Sequence, residues 1–161
     1  MPPQTPYTND LAGREPIAAL RETAARISVL ARPWSPADFE RSYAPGKWSA
    51  RQILTHLAQS ELALGTRARF ALTTPNYAAQ AFEQDSWMAR ESALPGPAAL
   101  DAFAGLAAMN LALFASLSAA DRATAFSHPE YGALTVDWIV HQMAGHLIHH
   151  LKQLEEIAAR R

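Results

Sequence analysis

The sequence predicts an all-α protein built as a four-helix bundle. Ala, Leu, Glu, Gln and Arg, which favour helices, fill long segments, and clusters of Pro, Gly and Ser separate these segments. The four helices expected from this pattern are about 20 to 27 residues, or roughly 30 to 40 Å, long, so they match in length as the members of one bundle do. We expect residues 1–161 to form a single domain.

The first two helices are marked by their apolar faces and their ends. The first is predicted from Asn9 or Asp10 to Leu30, where apolar residues recur at spacings of three and four, and Pro33 keeps the next stretch from continuing it. The second begins where Ser49 can cap a helix and Gln52 can complete a capping box. It is expected to run to about Leu72.

A long connection, residues 75 to 96, follows the second helix. A short helix is expected within it, around Glu83 to Ser92, and the third helix begins at Gly96-Pro97 and extends to about Leu117. A connection of about 22 residues is long for a bundle hairpin and long enough to return along the bundle. We therefore predict a crossover between helices two and three, in the order up-down-down-up.

The last helix carries most of the histidines. Residues Asp121 to Leu134 are expected to form a loop, after which Thr135 caps a helix that reaches about Ala158. Four of the six histidines lie in this helix: His141, His146, His149 and His150. The chain has no cysteine, so any metal must use nitrogen and oxygen ligands.

His146 and His150 are four residues apart and therefore lie on the same face of a helix. Their β-carbons are about 5 to 6 Å apart at this spacing, so both rings can reach one metal ion. The spacing is similar to that of the paired histidines in a zinc-protease helix. The glutamate that such a helix places beside the first histidine is missing, since position 147 is leucine.

A third ligand has to come from another helix, and His56 is the best candidate. It lies on the apolar stripe of the second helix, with Ile53 and Leu64. It is about 8 residues, or roughly 12 Å, from the start of that helix, while His150 and His146 lie about 12 and 18 Å before the end of the last helix. The three rings can meet at one level if these helices are antiparallel, whereas a parallel arrangement fits less well.

Two parts of the sequence resemble the signatures of the DinB-like, or YfiT-like, superfamily. They are Gly46-Lys47-Trp48-Ser49 with Leu54-Thr55-His56-Leu57, and the terminal run from Gly145 to Leu154. The resemblance extends over nearly the whole chain in order and spacing. It implies a four-helix bundle with a long crossover, in which His56, His146 and His150 bind one divalent ion such as zinc or nickel. It also places His149 and Gln153 beside the site without making either a required ligand.

The resemblance leaves the function open between several classes. It implies a metal-dependent enzyme, either a hydrolase or a transferase that moves a low-molecular-weight thiol onto a small-molecule substrate. The thiol would be a cosubstrate, because this chain has no cysteine. The alternatives are a non-catalytic metal-binding or damage-response interaction protein, and a member that has lost the metal and keeps its histidines as a hydrogen-bonded cluster. Homodimers are common in the family, although a monomer is equally compatible with the sequence.

The remaining histidines are expected to have other roles. His149 points about 60° away from His146 on the helical wheel, so we expect it at the rim of the site. His141 is expected to face solvent or a neighbouring helix. His128, just before a proline, is expected to be a structural loop residue.

Aromatic and charged residues near the candidate site are harder to place. Trp48 is expected to pack at the entry of its helix. The aromatic residues of the long connection are expected to cover the bundle rather than to line a pocket: Tyr77, Phe82 and Trp87. Spacing alone does not place Arg51 or Glu61 relative to the histidines.

Charge and composition argue against two classes of partner. The chain has 14 Lys and Arg against 15 Asp and Glu, a formal charge of −1, so we expect no surface for nucleic acid or an anionic membrane. The N-terminus lacks the basic flank and apolar run of a secretory signal, and no stretch is expected to reach the roughly 18 apolar residues of a membrane span. A soluble cytoplasmic protein is the expectation.

Overall fold

The computed structural model describes residues 1–160, which contain eight helices and one two-stranded sheet. Four long helices form a bundle: α2 (Pro16–Ala31), α4 (Ala50–Thr73), α6 (Gly96–Ser116) and α8 (Val136–Ala158). Short helices lie between them: α1 (Thr8–Leu11), α3 (Pro36–Phe39), α5 (Gln84–Arg90) and α7 (Ala119–Arg122). The strands β1 (Ala125–His128) and β2 (Gly132–Thr135) form an antiparallel hairpin before α8. The predicted four-helix bundle is confirmed.

Contacts along α4 and α6 show that these two helices run parallel. Near the start of α4, Arg51 donates a hydrogen bond to the carbonyl oxygen of Ser92, just before α6, at 2.7 Å. In the second half of α6, the Asn110 amide donates to the carbonyl oxygen of Glu61, midway along α4, at 2.8 Å. Because consecutive helices can be parallel only if the chain between them returns along the bundle, residues 75 to 95 form the predicted crossover.

The other two long helices complete the order of directions. Arg32, just after α2, pairs with Asp101 in the first turns of α6 at 2.6 Å, so α2 and α6 are antiparallel. Arg26 in the second half of α2 pairs with Glu155 near the end of α8, and these two helices are parallel. The order α2 up, α4 down, α6 down, α8 up agrees with the sequence prediction.

The starts of α4 and α8 are capped as predicted. The Ser49 hydroxyl accepts a hydrogen bond from the backbone N–H of Gln52 at 3.3 Å, and the Gln52 side chain accepts from the backbone N–H of Ser49 at 2.9 Å. The Thr135 hydroxyl accepts from the backbone N–H of Trp138 at 3.3 Å. These caps satisfy backbone donors that have no partner inside a helix, and they fix where each of the two histidine-bearing helices begins.

The single first helix predicted from Asn9 or Asp10 to Leu30 is wrong, because the chain breaks it in two. α1 ends at Leu11, and Ala12 and Gly13 follow with φ of 51° and 75°, in the left-handed region that terminates helices. A new helix then starts at Pro16 under a cap from the Glu15 carboxylate. The break turns α1 away from α2 so that α1 packs against α8.

The loop predicted from Asp121 to Leu134 is also wrong in part, because it contains the end of α7 and most of the β1–β2 hairpin. Gly132, with φ of 71°, lies at the turn. Ser127 of β1 exchanges backbone hydrogen bonds with the crossover: its N–H donates to the Tyr77 carbonyl at 3.0 Å, and its carbonyl accepts from Ala79 at 2.8 Å. The strands are only four residues long, and these contacts with a distant segment have no local sequence signal.

α6 is more apolar than the sequence analysis expected. By length and composition alone, residues 96–116 could cross a membrane, so the expectation that no stretch reaches this limit was wrong. In the structure α6 packs against α2 and α4, and about a third of its apolar stretch is buried, with Leu100 and Phe103 in the core. An apolar core helix of a bundle has the same composition.

Gly145 lets the N-terminal segment pack directly on α8. A β-carbon at this position would lie 2.5 Å from the carbonyl oxygen of Tyr7, whereas one at Gly105, on the exposed face of α6, would meet no atom within 4 Å. We expect Gly145→Ala to lower the free energy of unfolding by ~1–3 kcal/mol, because a backbone oxygen cannot rotate out of the way. The control Gly105→Ala should raise it by about 0.5–1 kcal/mol, since alanine favours helix. Urea unfolding measures both, and stabilisation of both variants would contradict the described packing.

Candidate metal centre

Three histidine rings from two helices meet inside the bundle. His56 comes from the first half of α4, and His146 and His150 come from successive turns of α8. The Nε2 atom of His146 lies 2.9 Å from Nε2 of His56 and 3.0 Å from Nε2 of His150. All three residues are buried, with exposed fractions of 4 to 6%. The structure thus brings together the three residues that the sequence analysis singled out.

The distances between these nitrogens suit shared coordination of one ion. Imidazole nitrogens bind zinc at about 2.0 to 2.1 Å, so two of them lie ~3.3 Å apart at a tetrahedral angle around the ion and ~2.9 Å apart at a right angle. The observed 2.9 and 3.0 Å are close to this range. One ligating atom from each of the three histidines lies within 4.8 Å of the others. Within residues 1–160, no carboxylate belongs to this cluster. Three imidazoles would leave coordination positions for water or substrate.

Burial keeps the three rings uncharged at neutral pH. It lowers the pKa of His56 from 6.5 to about 4. It also lowers the pKa of His150 to about 3, with the nearby His56 as a further cause. The pKa of His146 falls well below 6.5, first through burial and then through the neighbouring histidines. Because neutral imidazole is the form that binds metal, the rings need not lose a proton first.

Gln153 determines which nitrogen of His150 carries the proton. Its Oε1 atom lies 2.7 Å from Nδ1 of His150 and can only accept, so Nδ1–H donates and Nε2 keeps its lone pair toward the cluster. The Gln153 amide nitrogen donates to the Tyr43 hydroxyl at 3.3 Å and lies 3.3 Å from Nε2 of His149. A partner on the second ring nitrogen is the usual way in which metal-binding histidines are oriented.

The other histidines of α8 lie outside the cluster. The side chain of His149 is 40% exposed, and its Nδ1 atom lies 3.5 Å from the Asp10 carboxylate, so it occupies the rim. His141 has its Nδ1 atom 2.9 Å from the carbonyl oxygen of Asp137, one turn earlier in the helix. Neither ring reaches the point where the other three meet.

Aromatic rings cover the cluster on several sides. Trp48, at the entry of α4, lies 4.9 Å from the His56 ring, and Tyr7 lies 5.0 Å from the His146 ring. Phe82 of the crossover stacks on His56 at 6.3 Å with 10° between the ring planes. The expectation that Phe82 only covers the bundle was wrong, because it also lines a pocket beside the histidines. These rings limit access of water to the cluster.

The pocket beside His56 and His146 has a volume of about 230 Å³. Its walls come from the N-terminal segment, α4, the crossover, the hairpin and α8. Apart from His56 and His146, the polar side chains in these walls include Tyr7, Ser60, Arg67, Gln84, His128, Glu130, Tyr131 and Gln142. Arg67 is the one cationic side chain among the lining residues. Its guanidinium donates a hydrogen bond to the carbonyl oxygen of Gln80 in the crossover.

The pocket residues other than the histidines of the cluster carry no local sequence signal. His128, expected to be a structural loop residue, lies in β1, is 7% exposed and lines the pocket. Its Nδ1 atom accepts a hydrogen bond from the backbone N–H of Glu130 at 3.2 Å. No spacing rule links residues from five separate segments, so only the tertiary fold reveals the pocket.

Two residues left unplaced by the sequence analysis do not reach the histidines. Arg51 pairs with Glu40 at 2.8 Å. Glu61 follows His56 by five residues, which is about 140° around the helix, and it contacts Asn110 of α6 instead. Both can be excluded from the histidine cluster.

The fold and the cluster define a class of helical bundle in which three histidines meet between two antiparallel helices. A family model described as the DinB superfamily matches residues 19–154. The chain therefore belongs to the DinB superfamily, as the motifs around His56 and His146 indicated.

Similar proteins agree with this assignment. Two proteins of Oceanobacillus iheyensis carry the name "Putative metal-dependent hydrolase". One is 28% identical over 123 residues, 76% of this chain and 72% of the relative. The other is 27% identical over 131 residues, 81% of this chain and 76% of the relative.

Two solved structures share the fold. YfiT from Bacillus subtilis, described as "a probable metal-dependent hydrolase with an unusual four-helix bundle topology", superposes with a TM-score of 0.80 at 22% identity, over 90% of this chain and 85% of YfiT. The mycothiol-dependent maleylpyruvate isomerase superposes with a TM-score of 0.73 at 17% identity, over 94% of this chain and 63% of the isomerase. At sequence identities of 22% and 17%, the two superpositions establish a shared fold and no shared function.

Gln153→Ala is expected to weaken metal binding about 10- to 100-fold, because Nδ1 of His150 loses the acceptor that fixes its proton. Gln153→Glu keeps an acceptor at the same place and should retain the affinity. Competition with a chromophoric chelator measures both variants against the wild type. Equal affinities in all three proteins would show that Gln153 does not orient His150.

Proposed function

We propose that this protein is a divalent-metal-dependent enzyme that hydrolyses a small-molecule substrate. The observation that carries the proposal is the convergence of three neutral imidazoles at the wall of a polar pocket. A closed structural site would use a fourth protein ligand, and within residues 1–160 the cluster contains only the three histidines. The relatives named as metal-dependent hydrolases support the same reading.

His56, His146 and His150 would hold the ion through their Nε2 atoms, with zinc or nickel as the proposed metal. Both metals accept imidazole ligands. When bound, such an ion polarises a carbonyl or phosphoryl group and lowers the pKa of water toward 7. Gln153 would keep His150 in the tautomer that binds.

The pocket residues would bind and orient the substrate. Arg67 offers a positive charge for an anionic group, and Ser60 and Gln142 offer hydrogen bonds. Burial and the charge of Arg67 lower the pKa of His128, so the ring is uncharged at neutral pH. Because Nδ1 accepts from the backbone N–H of Glu130, the ring proton lies on Nε2, which would donate a hydrogen bond to the substrate. Phe82 and Tyr7 would shield the reacting atoms from bulk water.

Thiol transfer is the second candidate reaction. A divalent ion with an open position can also hold a low-molecular-weight thiol as the thiolate. The pocket beside the histidines gives room for a second, electrophilic substrate. The chain has no cysteine, so the thiol would have to enter as a cosubstrate.

Two non-enzymatic readings fit the site less well. A metal that only joins α4 to α8 would need no pocket next to its ligands, yet His56 and His146 both line one. Without a metal, the buried imidazole nitrogens would face one another. Each neutral ring has a single N–H, so these nitrogens could not all be paired by hydrogen bonds. Both readings are tested by the metal content and activity of the protein.

We further propose that the protein acts in the cytoplasm as a homodimer. The family resemblance supports the dimer, and α6 offers an apolar surface of which about a third is buried within the bundle. Sedimentation velocity at micromolar concentration tests it, and a sedimentation coefficient of a monomer of 17.5 kDa would contradict it.

His56→Ala is expected to remove most of the bound metal, because two ligands on one helix form a weaker site than three. Elemental analysis of tag-free wild-type protein should find about one divalent ion per chain. His141→Ala is the control: it removes a histidine that lies in α8, outside the cluster, and bonds to a backbone carbonyl. Unchanged metal content in His56→Ala would contradict the site.

The reaction class is tested by a screen of small esters, amides and electrophiles with the metal-loaded protein, each with and without a bacterial thiol. Metal-dependent hydrolysis without thiol would support the main proposal. Turnover that requires the thiol would support the second candidate instead. Turnover that persists in His56→Ala would show that the histidine site is not responsible.

A further inference from the structure

A second cavity lies on the other side of the core from the histidines. It has a volume of about 190 Å³ and lies between α2 and α6, with α4 and α8 behind it. Its walls are apolar and include Leu20, Ala104, Leu111, Phe114, Met143 and Leu147. No histidine is among the residues that line it, so it is separate from the metal pocket.

Glu61 is the one ionisable side chain among the residues that line this cavity. It is 3% exposed. Its Oε2 atom accepts a hydrogen bond from the Asn110 amide at 2.8 Å, and within residues 1–160 no Lys, Arg or His side chain forms an ion pair with it. A buried carboxylate without a cationic partner is costly, so Glu61 is stabilised either by taking up a proton or by a ligand that supplies positive charge.

The surroundings of Glu61 are fixed. The Asn110 amide nitrogen also donates to the Glu61 backbone carbonyl, and the Asn110 side-chain oxygen accepts from Arg69 at 2.7 Å. Gly65 makes room for this arrangement, since a β-carbon there would lie 2.3 Å from that oxygen. Because the Asn110 oxygen accepts from Arg69, Asn110 interacts with Glu61 only as a donor. The Glu61 carboxyl group therefore remains able to interact with a ligand in the cavity.

We propose that this cavity binds a small apolar amine in its protonated form, with the ammonium group paired to Glu61 and the hydrocarbon part against the apolar walls. Binding sites for small molecules commonly combine apolar walls with a few fixed polar groups. A cavity of about 150 Å³ can hold benzene, so this one has room for an aromatic ring with an aminomethyl group. The site needs no metal and is independent of the hydrolase proposal.

The pH dependence of binding follows from Glu61. Burial raises the pKa of Glu61 to about 7, although the hydrogen bond from Asn110 opposes the rise. Below this value the carboxyl group is neutral and cannot pair with a cation, so amine affinity should increase from about pH 6 to about pH 8. Arg69 donates to the Asn110 oxygen rather than to Glu61, and the lining residues of α2, α6 and α8 are uncharged.

Benzylamine and benzyl alcohol form a matched pair of probes, because they have similar shape and differ in charge. The wild-type protein should bind benzylamine about tenfold or more tightly than benzyl alcohol at neutral pH. Glu61→Gln keeps an acceptor for Asn110 but removes the charge. It should weaken benzylamine about tenfold and change benzyl alcohol less than about twofold, as measured by calorimetric or NMR titration.

Two further variants locate the binding. Ala104→Leu fills the cavity without changing Glu61 and should abolish binding of both probes. His56→Ala should leave benzylamine binding unchanged, which distinguishes this cavity from coordination of the amine to a metal. Absence of benzylamine binding to the wild type, equal affinity for both probes, unchanged binding in Glu61→Gln, or loss of binding in His56→Ala would each overturn the proposal.

Discussion

The contact between the His56, His146 and His150 rings is the interaction on which the proposed site depends. Burial makes the charged form of each ring unfavourable, so three neutral imidazoles face one another with nitrogens 2.9 and 3.0 Å apart. A neutral ring has one proton, and Gln153 already uses that of His150. The nitrogen lone pairs that are held close together in this cluster are stabilised when one cation binds to all of them. The capped starts of α4 and α8 and the aromatic rings around the cluster hold the three nitrogens at this point.

The topology of the bundle explains why a pocket lies beside these histidines. Because α4 and α6 are parallel, the crossover must pass along the bundle, and it carries Phe82 over His56. The hairpin binds the crossover through Ser127 and brings His128 to the same pocket. On the other side of the core, α2 and α6 leave the apolar cavity that contains Glu61. One fold thus separates a polar pocket beside neutral imidazoles from an apolar cavity with a single carboxyl group.

The sequence was sufficient for features that depend on local spacing. Helical periodicity, the Ser49 capping box and the four-residue spacing of His146 and His150 predicted the bundle, the start of α4 and the shared face. The helix break was missed although Gly13 and Pro16 are a local signal for a helix end followed by a new start, because apolar residues continue at helical spacing on the far side of it and Ala12 is of a type that rarely adopts the left-handed conformation. The hairpin and the pocket were missed because they depend on contacts between distant segments. The partner of Glu61 was equally invisible, since Asn110 lies on another helix.

X-ray absorption spectroscopy on tag-free protein, at the edge of the metal that copurifies with it, tests the central claim most directly. The three-histidine site predicts three imidazole nitrogens at about 2.0 to 2.1 Å, together with at least one further light-atom ligand from solvent. His141→Ala should keep the count of three imidazoles, whereas any metal that remains in His56→Ala should show at most two. A spectrum with fewer than three imidazoles per ion in the wild-type protein would contradict the claim that His56, His146 and His150 share one metal.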